Sequence, residues 1–437
     1  MRVVFDKHGT YDQAWAYREP PNPGRTVLIL GAGNASLLVP ADFLTKIFAE
    51  NKVAVLKMNE VNEYLGPLIE AIYRPLIDAG VLRVCYGGAE QGGYLVAHEL
   101  VDEVHITGSH HTYEAIVFGP GKQGQERKRE GKPLLEKPIT GELGTVSPVI
   151  IVPGVWSPSD LRHAASHVAA MLTFNAGFNC LTSRVIITHV GWPQRNAFLQ
   201  TLRQTLAEVP CRKAFYPGAE ARHQAFLDVH PEAYRCGEPG PGQLPWTLVG
   251  GVDAEQQDDI CFTTEAFCGL FAETALDAPT PTDFIDHAVA FANGTLWGSL
   301  TSTVIVRPAD LRYPAVREAV DRAQANLRYG TVGINLWGGT SYMLMTSSWG
   351  AFPGHTHADI QSGVGVVNNW LLFRQVQKTV SRGPFHSAIQ PASTPGNLKL
   401  MKNVARLEAS HSWGDLVRTG VAATLFDPWH TLVRMVE

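Results

Sequence analysis

The sequence predicts an α/β protein built from two Rossmann-like units, each carrying a parallel sheet. Three observations predict it. Short apolar runs that suit buried parallel strands recur at a spacing of roughly 25 residues. Stretches of helical periodicity lie between them. Glycine-rich breaks follow several of the runs, where a strand has to turn into a helix.

Residues 1–23 are mixed in character and end in the turn-rich PPNPG. TVLIL at 26–30 is the first buried strand, broken by Gly31-Ala32-Gly33-Asn34. Residues 37–50 form a helix, 53–56 a second strand, and 64–79 a helix stopped by Gly80. A third strand at 81–86 runs into Gly87-Gly88, and a fourth at 104–106 runs into Thr107-Gly108-Ser109. Residues 119–138 are rich in Gly, Lys, Gln and Glu and predict an exposed connection.

The second unit opens with a strand at 149–152. Ser157 is placed to cap the next helix, with Pro158 at its first position and Asp160 closing a capping box. Leu161, Ala165, Val168 and Leu172 supply the buried stripe. That helix runs into Asn175-Ala176-Gly177-Phe178-Asn179-Cys180, and a strand follows at 184–189. Cys180 therefore stands on a loop between a helix and a strand. Residues 235–246 form a Gly/Pro-rich surface loop, and strand and helix alternate again as far as residue 340. Past Pro384 the pattern holds helical segments without identifiable chemistry.

At 437 residues the chain is long enough for two or three domains with real cores. A hydrophobic fraction of 45% with 18% charged residues is ordinary for a globular protein and argues against disorder. The net charge of −5 leaves no electrostatic footprint for nucleic acid or an anionic membrane. The six cysteines contain no CxxC pair and suit free thiols in a reducing compartment. The opening MRVVFDKHGT has no secretory h-region, and no apolar run reaches the ~20 residues of a membrane span. The expectation is a soluble, cytoplasmic protein without a membrane or nucleic-acid partner.

Several residues are candidates for chemistry, each with a plainer alternative beside it. GAGNAS at 31–36 follows a strand and precedes a helix, but lacks the third glycine of a dinucleotide fingerprint. Lys57 and Glu60 stand at the end of the second strand, where an acidic side chain can bind a ribose hydroxyl; taken alone, the two residues favour a solvated ion pair at a helix start. A lone cysteine such as Cys180 is usually an inert small hydrophobe, yet the open backbone around Gly177 admits a ligand. Glu142, just before an apolar strand, suits a partly buried general base; the alternative is a glutamate in a surface turn. His355, His357 and Asp359 form an H-x-H-x-D run that nothing elsewhere completes, so no metal site is expected.

Taken in order, these segments resemble the aldehyde dehydrogenase superfamily over roughly residues 15–380. Tyr17-Arg18-Glu19-Pro20 resembles the strand entry before the family's first core strand, and Asn34 falls where the family has its oxyanion-binding asparagine. Val55 to Glu60 (VLKMNE) resembles K-x-x-E, and VHITGS at 104–109 resembles the F-T-G-S turn near the cofactor pyrophosphate. ELGTVSP at 142–148 resembles E-L-G-G-K-S-P, and NAGFNC at 175–180 resembles N-x-G-Q-x-C. Glu265-Ala266-Phe267 resembles E-x-F, and GTVGIN at 330–335 resembles G-x-V-x-V-N. Phe178 and Thr145 depart from the family pattern, and its P-F-G-G stretch is reduced around Trp349-Gly350-Ala351-Phe352. Family members also carry a mostly helical segment ahead of the point where this chain begins. The expectation there is a fragment, a misassigned first methionine, or a partner that covers the exposed face.

The resemblance implies a division of the chain into 1–23 (entry and oligomerisation strands), 24–147 (dinucleotide-binding, incomplete at its N-terminus) and 148–345 (catalytic). A return segment at 346–390 and a C-terminal extension at 391–437 complete it. It implies a homodimer or homotetramer that oxidises an aldehyde to an acid with NAD, NADP being disfavoured by the charge of Glu60. Cys180 becomes the nucleophile, Asn34 an oxyanion donor and Glu142 the base that activates water. Lys57, Glu60, Gly108, Ser109, Glu265 and Phe267 become the cofactor contacts, and Phe174, Phe178 and Trp337 either line the substrate tunnel or fill the core. Two alternatives accompany this: a coenzyme A-acylating or reductive relative, and a non-catalytic subunit of the same fold.

Overall fold

A computed structural model of the chain describes residues 2–5, 13–18 and 24–386, with Ser412 and Gly414. The expected C-terminal extension at 391–437 thus lies, apart from those two residues, outside the described residues.

Two sheets organise the molecule. The first has six strands in the order Gly363–Val364, Ile139–Glu142, Glu103–Thr107, Thr26–Leu30, Val53–Lys57, Leu82–Cys85. All neighbours are parallel except Gly363–Val364, which runs antiparallel to Ile139–Glu142. The strand Thr26–Leu30 shows why this sheet is sandwiched between helices. Its alternate side chains go to opposite faces: Val27 and Ile29 join a cluster with Val39, Phe43 and Leu56, whereas Leu28 joins one with Val104, Tyr113 and Val117. All three strand residues are fully buried, which is worth about 1.5–3 kcal/mol per side chain.

The strand order reverses between Thr26–Leu30 and Glu103–Thr107. The next strand in sequence after the first pairs on one side of it, and the later Glu103–Thr107 pairs on the other. In open parallel sheets this reversal leaves a crevice beyond the carboxyl ends of the strands. Gly31–Asn34 and Gly108–Ser109 follow those two strands directly.

The second sheet has nine strands, with Ser147–Ile151, Ser183–His189, Leu270–Leu276 and Thr301–Ile305 at its centre. Arg2–Phe5 lies at one edge, antiparallel to Val376–Arg382. The long helix Pro158–Thr173 packs on this sheet and begins as its sequence predicts. Ser157 Oγ accepts from the Asp160 N–H at 3.1 Å, and the Asp160 carboxylate accepts from the Ser157 N–H at 3.0 Å. Such a cap is worth about 1 kcal/mol, and Leu161, Ala165, Val168 and Leu172 are all buried.

Two expectations change. The polar stretch 119–138 is not simply an exposed connection: Gly121–Glu130 is a helix. Its lone-pair end at Glu130 is closed by Gly131 in the left-handed conformation, and its polar surface faces water, so no apolar stripe marks it in the sequence. Tyr17 and Arg18 do not enter a strand; they belong to the helical turn Trp15–Arg18.

Candidate active site

A cavity of about 1170 Å³ opens beyond the carboxyl ends of the first sheet and reaches the loop before Ser183–His189. Cys180, Glu142 and Asn34, distant in sequence, all line it.

The loop before Cys180 is held in a strained conformation. Asn175, Ala176 and Gly177 have successive φ values of 51°, 56° and 79°, a left-handed path that costs a non-glycine residue about 1–2 kcal/mol. Gly177 has no alternative there, since a Cβ would lie 2.4 Å from the Cys268 carbonyl oxygen. Side chains stabilise the path. Asn175 Nδ2 donates to the Asn34 carbonyl at 2.8 Å, and Asn179 Nδ2 donates to the Phe174 carbonyl at 2.8 Å. Arg184, 3% exposed, donates to the carbonyls of Gly177 (2.7 Å), Cys268 (2.5 Å) and Leu270 (3.1 Å). One buried guanidinium thus ties the loop before Cys180 to the start of Leu270–Leu276.

Glu142 ends the strand Ile139–Glu142 and meets Cys180 across the cavity floor: Cys180 Sγ donates to Glu142 Oε1 at 3.3 Å. Burial, reinforced by the charge of Asp42, pushes the Glu142 carboxyl up to about 7, with the donating Cys180 thiol opposing the shift. Burial also pushes the Cys180 thiol well up, and the carboxyls of Glu142 and Glu265 add to the effect. The resting pair is therefore a thiol beside a carboxyl poised near neutrality, as a general base requires. Asn34 Nδ2 donates to the Phe178 carbonyl at 2.9 Å, which orients the amide on the cavity wall and leaves its second N–H for another acceptor.

The expected cofactor residues gather in the same cavity, with one exception. Lys57, Gly108, Ser109, Glu265 and Phe267 line it. Ser109 also caps the helix His110–Phe118, so the N-terminus of that helix faces the cleft. Glu60 does not line the cavity. It is exposed at the rim, where a Cβ on the cavity-lining Gly88 would lie 3.1 Å from its Oε1.

Glu265 leaves an unpartnered buried acceptor at this end of the cavity. A Cβ on Gly144 would lie 1.8 Å from Glu265 Oε2, so only glycine leaves room for the carboxyl. Glu265 Oε1 is buried and has no hydrogen-bond partner among the described residues. Burial pushes its carboxyl up to about 7, opposed by Arg184, the Thr145 backbone and Arg222. A buried acceptor without a partner is costly unless a bound donor, such as a ribose hydroxyl, satisfies it.

Phe174, Phe178 and Trp337 turn out to be packing residues. None lines the cavity. Phe178 and Trp337 are 1% exposed, and Phe174 stacks edge-on against Trp337. Tyr216 and Phe267, whose rings meet at 4.9 Å, give the cavity aromatic lining instead. The H-x-H-x-D run bonds to protein groups: His355 to Ser299 at 2.6 Å, His357 to Tyr113 at 2.8 Å, and Asp359 to Gln361 at 2.6 Å. Outside the cavity, His230, Asp259 and Cys261 bring ligand-type atoms within 4.8 Å of one another, but His230 Nε2 already pairs with Asp259 at 3.0 Å.

Sequence reasoning missed Arg184, Arg222 and Asp42. Arg222 lines the cavity and donates to the backbone carbonyls of Ala266 and Phe267. The signals were faint but present. Arg184 is a charge at the start of an otherwise apolar strand, and Asp42 interrupts an apolar helix face.

A family model described as the aldehyde dehydrogenase family matches residues 11–222. Over 166 residues the chain is 28% identical to the N-succinylglutamate 5-semialdehyde dehydrogenase of Novosphingobium aromaticivorans. That match takes in 38% of this chain and only 32% of the relative's length. Among solved structures, the glyceraldehyde-3-phosphate dehydrogenase of Methanocaldococcus jannaschii, complexed with NADP, superposes with a TM-score of 0.63 at 16% identity. The superposition covers 86% of this chain and 75% of that one. The Mycobacterium tuberculosis aldehyde dehydrogenase complexed with NAD+ gives 0.61 at 19% identity, covering 88% and 73%. At these identities the structural likeness speaks to the fold. Among the described residues no helix is long and apolar enough to cross a membrane.

Proposed function

We propose that the chain is a member of the aldehyde dehydrogenase family, whose model matches residues 11–222, and that it oxidises an aldehyde to a carboxylic acid with a nicotinamide dinucleotide. The observation that carries the proposal is the 3.3 Å contact between Cys180 and Glu142 at the floor of a cleft sized for a dinucleotide.

Glu142 takes the thiol proton of Cys180, and the thiolate sulfur bonds to the aldehyde carbon. The oxygen that gains charge is received by the Cys180 backbone N–H and the free N–H of the Asn34 amide. When bound, the dinucleotide supplies the two-electron oxidising capacity. Lys57, Gly108, Ser109, Glu265 and Phe267 would hold it, with the Glu265 carboxyl accepting from a ribose hydroxyl. Glu142 then takes a proton from water, the resulting hydroxide adds to the acyl carbon, and the carbon–sulfur bond breaks to free the acid.

NAD is favoured over NADP because Glu60 stands at the rim of the cavity, where its charge repels a 2′-phosphate. Tyr216 and Phe267 in the lining of the same cavity favour an aldehyde with an apolar or aromatic body. The free state of all six cysteines suits a reducing, cytoplasmic setting. Exposed Tyr64, Leu68 and Ile72 on the dinucleotide-binding side suit a homo-oligomer. The test is NADH absorbance from purified protein with NAD and a panel of aldehydes. Turnover is expected and should vanish in Cys180→Ala; full turnover in that variant would overturn the assignment.

A further inference from the structure

One group of ligand-type side chains lies outside the cavity and has no part in the chemistry proposed above. It is built from the ends of two helices. The helix Ala219–Val229 stops at His230, whose backbone N–H still bonds to the Phe226 carbonyl at 2.8 Å. The short helix Ile260–Thr263 starts at Asp259, whose carboxylate accepts from the Cys261 N–H at 2.7 Å. Helix ends therefore fix where the side chains of His230, Asp259 and Cys261 begin. His230 and Asp259 are 29 residues apart, so no local spacing announces the group in the sequence.

An imidazole nitrogen, a carboxylate oxygen and a thiol sulfur lie here within 4.8 Å of one another. His230 Nε2 stands 3.1 and 3.0 Å from the two carboxylate oxygens of Asp259. A tetrahedral ion with bonds of about 2.0–2.3 Å needs ligand atoms about 3.3–3.6 Å apart, so this pair has to open by only a few tenths of an ångström. On the other side of the ring, His230 Nδ1 lies 3.5 Å from Glu232 Oε1. Metal-bound histidines are oriented in this way: a carboxylate takes the Nδ1 proton and so aims the Nε2 lone pair at the cation. Asp259 and Cys261 are buried, whereas the Glu232 side chain is 68% exposed.

We propose that His230, Asp259 and Cys261 bind a zinc-type divalent cation, with Glu232 orienting the imidazole from outside. The thiolate and the carboxylate carry two negative charges and the neutral imidazole none, so a divalent cation leaves the buried group without net charge. The mixed sulfur, nitrogen and oxygen set suits zinc, whereas magnesium and calcium take oxygen ligands. On binding, the Cys261 thiol loses its proton to solvent. The neutral imidazole carries its one proton on Nδ1, toward Glu232, and Nε2 offers its lone pair to the cation in place of the N–H it turns to Asp259. The three protein ligands leave a fourth position for water.

The site lies at the root of a segment that reaches the cavity. Thr264, Glu265 and Phe267 line that cavity and follow Cys261 by three to six residues. A cation held by His230 and Cys261 ties the end of Ala219–Val229 to this segment. Arg222 of the same helix already holds it through the carbonyls of Ala266 and Phe267. The site requires nothing of the reaction proposed for the cavity.

Cobalt titration of the full chain, kept reduced and freed of metal by chelation, tests this. A thiolate-to-cobalt absorbance with the visible bands of a tetrahedral ion should grow to about one cobalt per chain; zinc should bleach it and excess magnesium should leave it unchanged. Cys261→Ser and His230→Gln should lose the band, and Cys180→Ser should keep it. Glu232→Gln, an exposed change that spares the core where the buried variants fail to fold, should weaken cobalt binding about tenfold. A wild-type spectrum without the thiolate band would overturn the site. So would a band that survives in Cys261→Ser, one that vanishes in Cys180→Ser, or an affinity unchanged by Glu232→Gln.

Discussion

Glu265 occupies the space that a side chain at position 144 would need: a Cβ on Gly144 would stand 1.8 Å from Glu265 Oε2. This makes the glycine of E-L-G a condition for the carboxyl of E-A-F, although the two lie more than a hundred residues apart. Gly144→Ala should fold, since the clash is with a side chain, but should displace Glu265 from the cavity wall. A loss of dinucleotide affinity of about tenfold, some 1.4 kcal/mol, is expected in a calorimetric titration. Unchanged affinity would remove Glu265 from the cofactor site.

Glu142 and Glu265 should make stability depend on pH in an unusual direction. Both carboxyls are raised from 4.5 to about 7 in the folded chain. Between those values the folded form keeps protons that the unfolded form has lost. Stability therefore falls as pH rises through that window, by roughly 3 kcal/mol for each carboxyl, and the loss is complete above it. Urea denaturation at pH 5 and pH 8 should show the fall, and Glu142→Gln should remove about half of it.

Arg184 is a positioning residue for Cys180. Arg184→Met would leave the carbonyls of Gly177, Cys268 and Leu270 buried without their donor. A destabilisation of about 3–5 kcal/mol is expected in urea denaturation. Arg184→Lys, which restores the charge but not the planar fork, should recover only part of it.

Glu60 governs the choice between dinucleotides in the proposed function. Glu60→Gln removes the rim charge without touching the cavity lining, and should raise kcat/KM with NADP relative to NAD by about tenfold. An unchanged ratio would show that the discrimination lies elsewhere.

Much of the fold was legible because parallel strands buried on both faces read as uninterrupted apolar runs. TVLIL at 26–30 and the Ser157–Asp160 cap are local facts that folding leaves intact. The helix Gly121–Glu130 was not legible, because a solvated helix buries almost nothing and so leaves no stripe in the sequence. Aromatic residues misled for the opposite reason. Phe178 is next but one to Cys180, yet its ring turns into the core, whereas Tyr216, 36 positions beyond Cys180, reaches the cavity.

By itself the sequence determined the order of strands and helices, the glycines that let the chain turn, and the chemical types of Cys180, Glu142 and Asn34. Those depend on covalent structure and nearest neighbours. Only the tertiary structure decided that Cys180 meets Glu142 and that Gly144 makes room for Glu265. These pairings arise where strands from separate parts of the chain end side by side, and burial there resets the proton affinities that turn ordinary side chains into a site.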